Sequence, residues 1–118
     1  MKDISKKGFS SRLIHGGSIN DQFGSATVPI YQTSTFVFRD VDHGAACFAG
    51  ESDGYIYTRI NNPTIDALER QIALLEGGYR AIACSSGMGS VNTIYMGLLS
   101  KGDHIVSTAA VYGPSRLV

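Results

Sequence analysis

Residues 79–108 read YRAIACSSGMGSVNTIYMGLLSKGDHIVST, and this stretch decides the fold class. Residues 79–84 form an apolar run of strand length, and a turn of small residues follows it. Between residues 90 and 100 the apolar side chains recur every three or four positions, which is typical of one helical face. Residues 104–108 form a second run of strand length. The order strand, glycine-rich turn, helix and strand predicts a right-handed βαβ unit and an α/β fold.

The clearest helical pattern lies immediately before this unit. Asn62 is a residue type that caps helix N-termini well, and Pro63 follows at the first helical position, where its missing N–H costs nothing. The glycines at positions 77 and 78 are typical of a helix C-terminus. Between these signals, one apolar face is formed by Ile65, Leu68, Ile72 and Leu75. We therefore predict a helix over residues 63–76.

Residues 1–61 have a different character, because glycine and polar residues interrupt every apolar run. We expect one short helix capped by Ser10 or Ser11, and another capped by Asp40. Neither helix buries much apolar surface by itself. This part of the chain is therefore predicted to be an arm that packs against something else.

The arm also contains a segment that favours an extended backbone. Residues 28–38 are rich in β-branched and aromatic residues, and Pro29 confines them to a sheet edge or an irregular strand. We predict two parts: an extended, intersubunit N-terminal arm over residues 1–61, and the start of an α/β domain over residues 62–118.

The predicted α/β domain lacks the cover that its sheet needs. Parallel strands are normally buried on both faces. Two strands and two helices do not supply that cover. We therefore expect the 118 residues to be a piece of a larger polypeptide, or part of a heavily interlocked oligomer.

Charge and composition exclude several functional classes. The 10 Lys and Arg residues balance 10 Asp and Glu residues, which excludes nucleic-acid binding through a basic patch. No run approaches the roughly 18 consecutive apolar residues of a membrane helix, and the N-terminus has no apolar signal core. We expect a cytoplasmic protein without a nucleic-acid or membrane partner. The histidines and cysteines match no ligand spacing, so no metal site is predicted.

The turn SSGMG at residues 85–89 has the form of a phosphate site. Small residues between a strand and a helix present free backbone N–H groups at the positive end of the helix. Glycine lets phosphate oxygens approach the backbone closely, and the Ser86 hydroxyl adds a donor. The alternative is that Gly87 and Gly89 only permit tight packing of the helix against the strand.

Three classes of phosphate ligand compete for this turn. A dinucleotide fingerprint requires G-x-G-x-x-G and an acid near the end of the second strand, but position 92 is asparagine and the predicted strand ends in Ser107 and Thr108. A nucleoside-triphosphate loop requires a lysine after the glycines, and none is near. A small phosphorylated cofactor, held by one helix end, is the remaining class.

Such a cofactor also needs cationic and aromatic partners. Tyr57 and Arg59 place a phenol and a guanidinium two residues apart, on one side of an extended segment, and arginine binds phosphate with two hydrogen bonds at once. Tyr112 follows the second predicted strand, at the sheet edge where α/β proteins usually bind ligands. The alternative is a surface arginine beside packed tyrosines.

Several segments, in this order, resemble one enzyme family. They are VPIYQTST at 28–35, YTRINNPT at 57–64, LLEG at 74–77, SGM at 86–88 and VYG at 111–113. The family comprises the pyridoxal-phosphate enzymes of cysteine and methionine metabolism. Its members include methionine γ-lyase, cystathionine γ-synthase, the cystathionine lyases and O-acetylhomoserine sulfhydrylase. The similarity extends from Phe9 to Val118.

The resemblance implies a fold-type I enzyme, with an N-terminal arm, a three-layer α/β/α large domain and pyridoxal 5'-phosphate as cofactor. It implies that Ser86, Gly87 and Met88 bind the cofactor phosphate. By the same resemblance, Tyr57 and Arg59 reach the phosphate of a neighbouring subunit's cofactor. The active site is then shared within a homo-oligomer, a dimer or a tetramer.

The resemblance also implies the chemistry. Tyr112 stacks on the pyridine ring and acts in catalysis by transferring protons. The reaction is a β- or γ-elimination, or a γ-replacement, at a C–S or C–O bond of an amino-acid substrate, most like methionine γ-lyase. Pro114 stands where methionine γ-lyases typically have cysteine, so O-acetylhomoserine sulfhydrylase and cystathionine synthase or lyase are alternatives.

One requirement of the family has no match in these residues. The family's catalytic lysine comes later in the chain than Lys2, Lys6, Lys7 and Lys101. We therefore expect the 118 residues to be the N-terminal part of an enzyme and inactive alone. A non-catalytic module that binds phosphate or another protein is the alternative from a different class.

Overall fold

The computed structural model describes residues 3–117, which form two compact units divided between Ile82 and Ala83. The four α-helices are α1 (Phe9–His15), α2 (Val41–Ala49), α3 (Pro63–Glu76) and α4 (Gly87–Leu98). Two 3₁₀ turns are also present, at Ile4–Lys6 and Gly113–Arg116. None of the helices in the described part of the chain is long and apolar enough to cross a membrane.

The helix α3 begins and ends where the sequence predicts, because both of its termini are capped. The Asn62 side chain accepts a hydrogen bond from the backbone N–H of Thr64 at 2.9 Å, and Pro63 is the first helical residue. At the other end, Gly77 adopts the left-handed backbone (φ +65°) that closes the last turn. Ala67 is buried, whereas Ile65, Leu68 and Ile72 of the predicted apolar face are 36%, 52% and 43% exposed.

The helix α1 packs on α3 through a close approach of the two backbones. A methyl group on Gly17 would lie 2.7 Å from the carbonyl oxygen of Ala67, so only glycine fits there. The Gln71 side chain donates hydrogen bonds to the carbonyl oxygens of Arg12 and Leu13, at 2.9 and 2.8 Å. The Arg12 carbonyl also accepts from Gly16 N–H at 2.8 Å, so the α3 side chain adds a second bond there and satisfies the Leu13 carbonyl at the end of α1.

The predicted caps of α1 are wrong. The helix begins at Phe9, with Gly8 as its N-cap and without a side-chain cap. The chain leaves the preceding 3₁₀ turn with an extended backbone at Lys7 and Gly8. Helical backbone therefore begins before Ser10 and Ser11 are reached.

The helix α2 forms as predicted. Asp40 is its N-cap, and the carboxylate accepts a hydrogen bond from the backbone N–H of His43 at 2.7 Å. Gly50 ends the helix with φ +73°. Gly44 is buried beside Phe38, where a methyl group would lie 3.1 Å from the ring. The helix thus packs against the end of the segment 28–38.

The segment 28–38 pairs with the chain around Tyr57 at one point. Thr35 and Tyr57 form an isolated antiparallel bridge. Two backbone hydrogen bonds flank it, from Phe36 N–H to Ile56 O (3.1 Å) and from Thr58 N–H to Ser34 O (2.9 Å). The pairing is irregular, as the sequence around Pro29 predicts.

The second unit is built around α4, which begins at Gly87, three residues before the predicted start at Ser90, and ends at Leu98. The side chain of Ser115 is buried, and its hydroxyl donates a hydrogen bond to the sulfur of Met88 at 3.6 Å. The 3₁₀ turn Gly113–Arg116 therefore packs against the first turn of α4.

The two predicted strands, residues 79–84 and 104–108, do not form. Within residues 3–117 the only β-pairing is the bridge between Thr35 and Tyr57. The side chain of Val106 is fully exposed. A strand requires a neighbouring strand for its N–H and C=O groups and a surface for its apolar side chains, and the described residues supply neither to these segments. Within the described residues, the predicted βαβ unit is therefore a helix flanked by two segments that form no strand.

Candidate functional site

The first turn of α4 presents two unpaired backbone donors to open space. Ser86 caps the helix, and its hydroxyl oxygen accepts a hydrogen bond from the N–H of Gly89 at 3.0 Å. Among the described residues, no acceptor contacts the N–H groups of Gly87 and Met88. A methyl group added to Gly87 would meet nothing within 4 Å. These two donors are therefore accessible to a ligand.

This turn has the chemistry of a phosphate site. Two backbone N–H groups and the positive end of a 12-residue helix favour an anion. Because the Ser86 oxygen accepts from Gly89, its own O–H proton is available for a third hydrogen bond. The residues present fit a phosphate group.

Tyr112 is connected to this turn through Ser115. It precedes the 3₁₀ turn Gly113–Arg116, and its carbonyl oxygen accepts a hydrogen bond from Ser115 N–H at 3.0 Å. Ser115 in turn contacts the Met88 sulfur. The Tyr112 side chain is exposed. The second unit thus brings together Ser86, Gly87, Met88 and, through Ser115, Tyr112.

Tyr57 and Arg59 form a pair within the first unit. The guanidinium carbon of Arg59 lies 5.1 Å from the centre of the Tyr57 ring, which is a cation–π contact. The Arg59 side chain is exposed, and no carboxylate in residues 3–117 pairs with it. Both residues line a groove of about 690 Å³, whose walls also include Ile30 and Ile65. Within residues 3–117, the pair therefore presents a cation that contacts an aromatic ring but has no carboxylate partner.

A second polar cluster in the first unit escaped the sequence analysis. The Tyr55 hydroxyl donates a hydrogen bond to an Asp66 carboxylate oxygen at 3.2 Å, and Arg70 pairs with the same oxygen at 3.2 Å. Burial, followed by the nearby Asp66 carboxylate, raises the pKa of Tyr55. The spacing of Asp66 and Arg70, four positions apart on a helix, is the signal that predicts the ion pair.

The described residues contain no group of three or more side chains suited to a metal ion. Of the lysines named in the sequence analysis, Lys6 pairs with Asp3 at 3.6 Å and Lys101 is exposed. Lys2 lies outside the described residues.

Comparison with known proteins adds an independent observation. A family model described as "Cys/Met metabolism PLP-dependent enzyme" matches residues 10–118. The chain is 47% identical to L-methionine gamma-lyase of Porphyromonas gingivalis over 112 residues, 95% of the chain and 28% of that protein. It is 44% identical to O-acetyl-L-homoserine sulfhydrylase of Corynebacterium glutamicum over 107 residues, 90% of the chain and 24% of that protein.

The backbone also matches a solved structure. The crystal structure of an O-acetylhomoserine (thiol)-lyase from Campylobacter jejuni superimposes with a TM-score of 0.86 at 33% identity. The match covers 94% of this chain and 28% of that one. That protein carries a pyridoxyl-lysine phosphate group. The chain thus spans about a quarter of the length of each of these proteins.

Proposed function

The chain belongs to the Cys/Met metabolism PLP-dependent enzyme family, and from that premise we propose that it forms part of the cofactor site of an enzyme of sulfur amino acid metabolism. The observation that carries the proposal is the first turn of α4. There, the N–H groups of Gly87 and Met88 are unpaired and accessible, beside the Ser86 hydroxyl. These three groups hold the phosphate of pyridoxal 5'-phosphate.

Tyr57 and Arg59 bind a second cofactor molecule, that of a neighbouring subunit. Their support is the exposed guanidinium without a carboxylate partner in the described residues, held over an aromatic ring. Arginine binds phosphate oxygens with two parallel N–H groups. The assignment requires a homo-oligomer, a dimer or tetramer, in which the arm over residues 1–61 crosses between subunits and the domain over 62–118 belongs to a three-layer α/β/α fold.

Tyr112 contacts the cofactor ring and moves protons. Its exposed phenol lies in the unit that also holds the phosphate turn, and Ser115 links the two elements. When bound, pyridoxal phosphate supplies a ring that accepts electrons from the substrate's α-carbon. The Tyr112 side chain orients that ring by stacking and transfers a proton at its hydroxyl oxygen.

The reaction is elimination or replacement at a C–S or C–O bond of an amino-acid substrate, most like methionine γ-lyase. The similarity to a methionine γ-lyase at 47% identity supports it, and the similarity to a sulfhydrylase at 44% keeps that activity as the second candidate. Pro114, where methionine γ-lyases typically have cysteine, also favours testing cystathionine. The lysine that the family needs comes from a later part of the full-length gene product, which we place in the cytoplasm.

The carrying observation is tested by removing one N–H without changing the helix. Proline is well tolerated at the first position of a helix, which Gly87 occupies, and Ser86 already has the extended backbone that a following proline needs. In the full-length gene product, Gly87→Pro weakens binding of pyridoxal phosphate about tenfold or more, because a hydrogen bond to a charged group contributes about 1.5–3 kcal/mol.

Gly87→Ala is the matched control. It keeps the N–H, and its methyl group enters open space. A titration of the cofactor-free protein, followed by absorbance, measures both variants, and circular dichroism checks that helix content is unchanged. Equal affinities for the proline and alanine variants would contradict the phosphate assignment.

The arginine assignment has its own test. Arg59→Ala weakens cofactor binding about tenfold, whereas Arg39→Ala leaves it unchanged, because the Arg39 side chain is exposed and no hydrogen bond of its guanidinium occurs within residues 3–117. Unchanged affinity in Arg59→Ala would show that the cation serves another purpose.

A non-catalytic module is the alternative from a different class. Borohydride reduction of the full-length gene product in the presence of pyridoxal phosphate, followed by peptide mass analysis, separates the two functions. The enzyme yields a pyridoxyl group on a lysine beyond position 118. A product without any adduct would favour the module.

A further inference from the structure

The Asn62 side chain joins three segments of the first unit. It is 3% exposed, and each of its hydrogen-bonding groups has a partner. The carbonyl oxygen accepts from Thr64 N–H, which caps α3. The amide nitrogen donates to the carbonyl oxygen of Tyr31 at 2.9 Å and to the hydroxyl of Thr58 at 3.0 Å. Only the first of these bonds is needed to cap the helix.

The Thr64 hydroxyl holds the same part of the arm. It accepts a hydrogen bond from Tyr31 N–H at 2.9 Å and donates one to the carbonyl oxygen of Pro29 at 2.9 Å. Together, Asn62 and Thr64 bond to three backbone groups of residues 29–31. The start of α3 thereby fixes a segment that is about 30 positions away in sequence.

Thr58 connects this network to the proposed phosphate ligands. Its hydroxyl accepts from Asn62 and donates to the carbonyl oxygen of Thr33. Its backbone N–H donates to Ser34 O at 2.9 Å. Thr58 lies between Tyr57 and Arg59 in the sequence. The hydrogen bonds of its hydroxyl and its N–H therefore fix the backbone that carries these two residues.

We propose that Asn62, Thr64 and Thr58 form an arm clamp, a set of positioning residues that hold Tyr57 and Arg59 in the geometry that binds phosphate. This inference rests on the proposed role of Arg59. Arginine has many rotamers and its segment contains only an isolated bridge, so a free segment would lose much conformational freedom on binding. The clamp removes the backbone part of that loss before the ligand binds.

Two variants loosen the clamp by independent routes. Asn62→Ser keeps a neutral and equally good N-cap for α3 but lacks the amide N–H donors. Thr64→Val has the shape of threonine without its hydroxyl, and it leaves the Asn62 cap intact because that cap bonds to the backbone of residue 64. Thr64→Ser keeps the hydroxyl and is the matched control. If Asn62→Ser fails to fold, the Thr64 pair still decides.

The first measurement is hydrogen exchange in the cofactor-free full-length gene product. We expect Asn62→Ser and Thr64→Val to exchange at least tenfold faster than wild type at the amides of Tyr31 and Thr58, with α3 unchanged, and Thr64→Ser to resemble wild type. Unchanged exchange in both loosening variants would overturn the inference and leave the phosphate assignments standing.

The second measurement is the affinity for pyridoxal phosphate of each loosening variant, in the wild-type background and combined with Arg59→Ala. Each loosening variant weakens binding about five- to tenfold in the wild-type background and has no further effect when combined with Arg59→Ala. Equal effects in both backgrounds would show that the clamp does not act through Arg59. If Arg59→Ala alone leaves affinity unchanged, the proposed role of Arg59 fails and the inference fails with it.

Discussion

The two units of the chain differ in what their contacts bury. In the first, side chains link distant segments: the buried Asn62 joins α3 to the arm, and the half-buried Gln71 joins α3 to α1. In the second, Ser115 is the buried residue among residues 83–117, and large apolar side chains are exposed in both units.

The difference separates two kinds of sequence signal. Helix caps act within a few residues. The helices α3 and α4 therefore begin after Asn62 and Ser86 in both units, although the two units differ in their long-range contacts. Strands depend on partners far along the chain. The first unit contains hydrogen bonds between segments 31 and 59 positions apart, whereas the second joins its 3₁₀ turn to α4 through Ser115 and Met88, 27 positions apart.

The strongest test of the first unit adds one methyl group where the backbone after α1 closely approaches the backbone of α3. Gly17→Ala places a carbon 2.7 Å from the Ala67 carbonyl oxygen, so α1 must shift away from α3. We expect a loss of about 1–3 kcal/mol in the free energy of unfolding, the usual cost of overpacking. Urea denaturation followed by circular dichroism measures it. A neutral result would mean that α1 does not pack here.

A cap variant tests whether local bonds alone support the second unit. Ser86→Ala removes the acceptor for Gly89 N–H and costs about 1 kcal/mol of helix stability. Ser86→Asp restores the cap but places a carboxylate beside the phosphate turn, so helix content recovers while phosphate binding does not. Circular dichroism and a phosphate titration compare the variants. Recovery of both helix content and phosphate binding in Ser86→Asp would contradict the assignment of the phosphate to this turn.

The same exchange of glycine for alanine has the opposite sign in the second unit. Gly97 lies inside α4, and an added methyl group would meet nothing within 4 Å. Gly97→Ala therefore stabilises the helix by about 0.5–1 kcal/mol. Thermal unfolding of α4 measures the change. Destabilisation would reveal a packing partner for this face and weaken the contrast between the units.

The smallest expected effect is an alkaline one in the first unit. The fold raises the pKa of Tyr55 above its ordinary value near 10, because burial and Asp66 favour the neutral phenol. Its contribution to stability is complete below pH 10 and is lost as the pH rises through the raised pKa. Tyr55→Phe costs about 0.5 kcal/mol at neutral pH, by loss of the hydrogen bond to Asp66.

Urea midpoints below and above pH 10 check this expectation. The stability of wild type falls more steeply above pH 10 than that of Tyr55→Phe. Tyr79→Phe, at a fully exposed position, serves as the control and changes neither curve. Parallel curves for wild type and Tyr55→Phe would contradict the cause assigned to the shift.

The sequence predicted the helices well because their signals are local. Asp40 and Asn62 cap helices as predicted, and Gly77 ends one, whereas the cap of α4 by Ser86 was not predicted. The start of α1 was missed because no side chain caps it. The strands were predicted wrongly because an apolar run such as residues 104–108 specifies what it can pair with, not whether a partner is present.

The site was predicted in part. Capping by Ser86 and open space at Gly87 agree with a phosphate turn, although the role of each residue remains a prediction. The sequence does not predict the arm clamp, because the hydrogen bond between Asn62 and Tyr31 joins residues 31 positions apart and leaves no periodic pattern. The sequence indicates that Asn62 caps α3. Its two side-chain bonds to Tyr31 and Thr58 depend on the folded structure.

The hydrogen bond from Gln71 to Leu13 forms late in a chain that is still being synthesised. The helix α1 has seven residues, too few to be stable alone, and the carbonyl oxygen of Leu13 accepts from a side chain 58 positions later. At about 5–20 residues per second, the ribosome needs roughly 3–12 seconds to make that side chain. Throughout this interval the nascent chain exposes an unfinished helix, which α3 completes when it emerges.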